Sequence, residues 1–71
     1  MRKDLNRQEI DLLRLRSEGL TFADCSLKMG KSVRTVHVIL SLCKEKLNAQ
    51  NEAQAVTLAI AKGLIEVPKP H

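Results

Sequence analysis

The sequence predicts an all-α domain of four helices, and three observations carry that expectation. Four polar residues suited to a helix N-cap, Asn6, Thr21, Ser32 and Asn51, are each followed by apolar residues at helical spacing and then by a stop. Apolar residues make up 44 % of the chain while Phe22 is its only aromatic, so the core is built of Leu, Ile, Val and Ala. With 71 residues there is room for one domain, and its core is thin, because a chain of this size buries only about 60 % of its unfolded surface.

The first helix is expected to start at Asn6, with Glu9 three residues on as the reciprocal partner of a capping box and Leu5 where a hydrophobic staple sits. Ile10, Leu12, Leu13 and Ser17 form its inner face, and Gly19 stops it. Thr21 caps the second helix, with Asp24 in its first turn, where a carboxylate suits the positive helix end. Ala23, Cys25, Ser26, Leu27 and Met29 follow, mostly small residues that let a neighbouring helix come close, and Phe22 is read as covering the core edge.

Met29-Gly30-Lys31 is a short break, after which Ser32 caps the third helix, at about 33–47. Val36, Leu40, Cys43 and Leu47 share one face of it, and Arg34, His37, Val38, Ser41 and Lys44 lie on the other. A helix, a tight glycine turn and a second helix with a polar, basic outer face is the outline of a helix-turn-helix, whose second helix enters the DNA major groove. Beyond the polar turn at 48–50, Asn51 caps the fourth helix with Gln54 at capping-box spacing. Ala55, Val56, Ala59 and Ile60 face inward, Gly63 ends the helix, and Leu64 and Ile65 fold back on it. Residues 1–4 read as a disordered start or linker stub, 5–65 as the domain, and 66–71 as an extended tail.

The net charge of +4 is concentrated. Between residues 28 and 46 five basic side chains (Lys28, Lys31, Arg34, Lys44, Lys46) face one acid, Glu45, and the rest of the chain balances seven against seven. That is the electrostatic footprint of a polyanion-binding face. A single aromatic residue leaves no stacking platform for single strands or RNA.

Other classes are excluded by what is missing. Cys25 and Cys43 are 18 apart, with no C-x-x-C and no histidine at ligand spacing, so no metal site is expected and both read as buried free thiols suited to a reducing cytoplasm. No signal peptide is visible, and the longest mainly apolar run, 55–61, is far too short to span a bilayer. Cys43 and His37 lie on different helix faces, His37 has no orienting carboxylate, and the three glycines are isolated punctuation rather than a phosphate loop. Neither an enzyme nor a cofactor is expected.

The chain resembles the LuxR-type (GerE-like) helix-turn-helix domain, a four-helix DNA-binding module. Leu5-Asn6-Arg7-Gln8-Glu9 with Leu13 and Gly19 looks like that family's first helix; Ser32, Thr35-Val36, Leu40 and Lys46-Leu47 look like its recognition helix; Asn51, Gln54-Ala55 and Gly63-Leu64 look like its last. The segments 46–51 and 59–65 are most similar to the quorum-sensing branch, in which an acyl-homoserine-lactone-binding domain precedes this module. The resemblance implies base contacts from His37, Val38 and Ser41, with phosphate contacts from Lys31, Arg34, Thr35, Lys44 and Lys46. It also implies a dimer surface on the fourth helix, carried by Gln54, Thr57, Leu58 and Ala61. Departures from the pattern fall at Gln8, at Ile39 and Leu42, read as exposed apolar residues inviting an apolar partner, and at Glu52, an anion where the family has a phosphate-facing cation.

Two functions follow. One is the DNA-binding domain of a bacterial transcription regulator, binding a pseudo-palindromic promoter site as a homodimer. The other is a domain-only interaction protein that pairs with a full-length LuxR-type regulator and blocks its DNA binding. The second draws on the start at Met1 with no ligand domain in the sequence.

Overall fold

In the computed structural model, residues 4–67 are described, and they form four helices: α1 (Arg7–Ser17), α2 (Phe22–Met29), α3 (Val33–Leu47) and α4 (Glu52–Ala61). Among the described residues there is no strand. Residues 1–3 and 68–71, to which most of the expected linker stub and tail belong, lie outside the described residues.

Each helix begins where its cap dictates. The side chains of Asn6, Thr21, Ser32 and Asn51 accept from the backbone N–H groups of Glu9, Asp24, Thr35 and Gln54, supplying one of the partners that a helix start leaves missing. At α1 the box is reciprocal, since Glu9 Oε1 accepts from the Asn6 N–H at 2.8 Å. At α4 it is not: Gln54 Oε1 accepts from the N–H of Gln50, one residue outside the cap. The helix ends also share one solution. The N–H groups of Leu20, Lys31, Ala49 and Leu64 reach back to the carbonyls of Leu15, Ser26, Lys44 and Ala59, the six-residue closure of a Schellman motif. That closure needs a left-handed residue, which at the end of α3 is Asn48, the one non-glycine with positive φ (55°) among the described residues.

Helices α1 and α3 are the central pair. Each packs against every other helix, whereas α2 and α4 have no packing with one another. The core is Leu12, Leu13 and Leu15 of α1, Cys25 of α2, Val36, Ile39, Leu40, Cys43 and Leu47 of α3, Ala55 and Ala59 of α4, and Ile65 beyond it. Leu5, Ile10, Phe22, Met29, Val56, Leu58, Ile60 and Leu64 close its margins. The alanines of α4 are fully buried and small, which lets α4 lie close on the central pair.

Three expectations are corrected. Ile39 is 2 % exposed and belongs to the core. It lies three residues after Val36 and four before Cys43, so it widens the buried stripe of α3 to a second row. In α1 the inner face includes Leu15 and the carboxylate of Glu9, while Ile10 is only half-buried. In α2 Cys25 alone is buried, and Leu27 points to solvent at 81 % exposure. Ile39→Ala is expected to cost about 2–4 kcal/mol in a urea melt, as core truncations do, against almost nothing for an exposed isoleucine.

Candidate nucleic-acid interface

The outer face of α3 carries short side chains at its middle, Val38 and Ser41, with the charged Arg34 and Glu45 toward its two ends. Arg34, Val38, Ser41 and Glu45 run along its centre at helical spacing and are exposed, as are His37 on one flank and Thr35 and Leu42 on the other. Thr35 is also part of the helix cap: the Ser32 hydroxyl donates to Thr35 Oγ1 at 2.9 Å and accepts from the Thr35 N–H at 3.1 Å. Val38 at 53 % and Leu42 at 40 % exposure are the two large apolar side chains left open on this face.

The ion pairs sort the cations into occupied and available groups. Arg7 and Arg14 flank Asp11 on α1, Arg16 pairs with Glu52, and Lys46 with Glu9. Lys28, Lys31, Arg34, Lys44 and Lys62 have no ion pair among the described residues, and four of these five lie on α2, the turn and α3. Arg34 lies on the outer face of α3 and Lys44 at its edge; Lys31 and Lys28 instead line an open groove beside Arg14 of α1. Lys46, expected to contact phosphate, has a carboxylate partner inside the domain. Its Nζ turns inward to Glu9 Oε1 at 2.9 Å, and Glu9 is 0 % exposed, with its other oxygen lacking any partner among the described residues.

A column of side chains backs the His37 flank. The imidazole of His37 stacks on Phe22, ring centroids 4.1 Å apart and planes 25° from parallel. The guanidinium of Arg16 lies 4.0 Å from the centroid of the same ring. Two planar groups that close to one centroid must take opposite faces, so Phe22 is sandwiched. Arg16 in turn donates through Nη2 to Glu52 Oε1 at 2.9 Å, through Nε to Glu52 Oε2, and through Nη1 to the carbonyl of Leu20 at 2.7 Å. The hydrogen bond from Arg16 holds the Glu52 carboxyl below the usual glutamate range and raises Arg16 in return. Glu52 is therefore not an uncompensated anion, because its charge is matched within the domain.

The family model for bacterial regulatory proteins of the luxR family matches residues 3–59, which take in α1, α2, α3 and most of α4. The chain belongs to the luxR family. A search among curated proteins found no match. In the LuxR-type domain α2, the turn at Gly30 and α3 form the helix-turn-helix of a DNA-binding transcription regulator. No helix among the described residues is long and apolar enough to cross a membrane, and no cluster of metal-ligating side chains occurs among them.

On α4 of the LuxR-type domain, Gln54, Thr57 and Ala61 are exposed, whereas Leu58 is half-buried against the core and offers only part of its side chain outward. Both thiols are buried, as expected from their apolar helical positions. Burial pushes Cys43 up to about 12 and raises Cys25 as well, so neither is a thiolate at neutral pH; Cys43 Sγ instead donates to the Glu9 carbonyl at 3.6 Å. Phe22 and Arg16 were not legible in the sequence as parts of this column, nor was the pairing of Glu52 with Arg16. Their one local signal was a lone aromatic directly after a helix cap.

Two stability measurements test these pairings. Lys46→Ala strands the buried Glu9 carboxylate and is expected to cost about 3 kcal/mol, against less than about 0.5 for Arg34→Ala, in matched urea melts. Glu52→Gln is expected to cost about 1–2 kcal/mol near neutral pH. The carboxyl's folded value lies below its unfolded one, so the pair's contribution is full above the ordinary glutamate value of about 4.3 and is lost as pH falls through the folded value. Melting temperatures of the two proteins should therefore converge only below that range.

Proposed function

We propose that this domain binds promoter DNA as a homodimer on a pseudo-palindromic site, with α3 in the major groove of each half-site. The observation that carries the reading is the pairing pattern: Arg34 and Lys44 on α3 and Lys31 at the turn before it form no ion pair, and the middle of the α3 outer face, Val38 and Ser41, is short enough for close approach. His37 reads a base edge, Val38 packs on a thymine methyl and Ser41 reaches a base or phosphate. Arg34, Lys44, Lys31 and the Thr35 hydroxyl hold phosphates. Lys46 acts from behind, by neutralising Glu9, rather than as a phosphate ligand. Gln54, Thr57, Leu58 and Ala61 form the dimer surface, with the outward part of Leu58 as its apolar anchor. The quorum-sensing branch is the proposed origin, which makes an acyl-homoserine lactone the signal if a ligand domain precedes this one in the full regulator.

A second reading, a partner protein that pairs with a full-length LuxR-type regulator and blocks it, is favoured by the open Val38 and Leu42 on α3. Ile39 and Glu52 give it no support, since Ile39 is core and Glu52 is neutralised by Arg16. Binding to a mixed-sequence duplex across a salt series separates the two. On the DNA reading log affinity falls with log salt by roughly 0.9 per neutralised phosphate, and Arg34→Ala with Lys44→Ala makes the slope shallower by about 2. An absence of binding at low salt, together with a stable complex with a full-length regulator that releases its promoter, would establish the blocker.

A further inference from the structure

The geometry points to Phe22 as a positioning residue that sets the plane in which His37 reads its base, with Arg16 and Glu52 holding Phe22 in place; the inference rests on the DNA-binding reading above. A histidine on an open helix face swings about its terminal torsion, which is broad and has no strong preferred well. A base-edge hydrogen bond is directional and weakens steeply when the donor turns away. In this domain one imidazole face is covered by Phe22 at 4.1 Å, while the residue as a whole stays exposed and neither ring nitrogen has a hydrogen-bond partner among the described residues. The stack therefore restricts the ring plane and leaves its polar rim free.

Phe22 cannot yield by rotating, because its opposite face carries the Arg16 guanidinium at 4.0 Å. That guanidinium is fixed in turn by both oxygens of Glu52 and by the Leu20 carbonyl. The order imposed on His37 is thus built before DNA arrives, which removes an entropic cost from binding. Val38 and Ser41, at the centre of the outer face, have no ring contact or side-chain hydrogen bond behind them among the described residues. Discrimination at the base pair read by His37 should depend on Phe22, and discrimination at the other positions should not.

The experiment takes a duplex site selected from a random library and all its single-base-pair variants. Affinities are measured for the wild-type domain, His37→Ala, Phe22→Leu, the double variant and Phe22→Tyr. Expected is a loss of discrimination of about tenfold at one and the same base pair in His37→Ala and Phe22→Leu, no further loss in the double variant, and retention in Phe22→Tyr. Glu52→Gln, which leaves Phe22 and His37 themselves intact although Glu52 lies within electrostatic reach of His37 and Lys44, should show a smaller loss at that same pair, and it carries the test if a thermal melt finds Phe22→Leu unfolded. A uniform loss across all base pairs in Phe22→Leu or Glu52→Gln, or unchanged discrimination where His37→Ala loses it, overturns the positioning role and leaves DNA binding standing. So does a His37→Ala variant that discriminates like the wild type at every pair. A wild-type domain that binds no duplex at low salt overturns the DNA reading itself, and this inference with it.

Discussion

Helices α2 and α4 do not pack on one another, so whatever relates them passes through α1 and α3, and Arg16 is the side chain that closes the gap. Its planar fork presents donors in two directions at once: toward Glu52 at the first turn of α4 and toward the Leu20 carbonyl in the α1–α2 connection. Its flat face meets the ring of Phe22 at the first turn of α2. A lysine in this place could meet one of these groups as a point charge but not all three, since only the guanidinium combines bidentate pairing with a stacking surface. Both members of the Arg16–Glu52 pair keep partial access to water, at 21 % and 30 % exposure. Desolvation is accordingly modest, and the attraction is not spent on burying the charges.

The other end of α1 carries a different kind of pair. Glu9 serves the helix cap through Oε1, receives Lys46 on the same atom, and is wholly buried, so its charge is tolerated only because the cap N–H and the ammonium both point at it. This fastens the start of α1 to the last turn of α3, as Arg16 fastens its end to α4. Two cross-links at opposite ends of one helix compensate for a core made largely of aliphatic side chains and alanines. They also remove Arg16 and Lys46 from the surface charge, and Asp11 occupies Arg7 and Arg14. What remains open is Lys62 after α4 and the four cations of the helix-turn-helix, so the pairing that stabilises the domain also shapes its outward field.

The readable parts of the fold were the local ones. All four caps and the four helix ends follow from residues three to six apart, and the first row of the α3 core follows from steps of three and four. Ile39 lies outside the single row that steps of three and four from Val36 to Leu47 trace, and it is buried because a helix held on several sides buries a broader stripe. The cross-links were invisible for a different reason. Arg16 and Glu52 are 36 residues apart, and Glu9 and Lys46 are 37 apart. Nothing in composition or periodicity pairs one acid with one base at that range. Glu9 could be read as a capping residue but not as a buried charge, since burial depends on where α3 ends in space. The face of α3 was legible in the sequence; what stands behind His37 was not.

The outer face of α3 divides its side chains by support and by reach. His37 sits at the margin nearest α2, where Phe22 can stiffen it, but a residue at the margin meets a duplex obliquely. Val38 and Ser41 point straight outward without such backing, yet they are short, with few rotamers to lose. Short central side chains contact bases only when the helix backbone comes close to the groove floor, and close approach requires phosphate ligands that draw the helix in from both sides. On the DNA-binding reading proposed above, Arg34 on the outer face and Lys44 near the Arg16–Glu52 pair would take that task, one toward each end of α3. A domain with one aromatic residue thus places that ring against an exposed histidine at the margin of α3, rather than in the centre of the core, which aliphatic side chains fill without it.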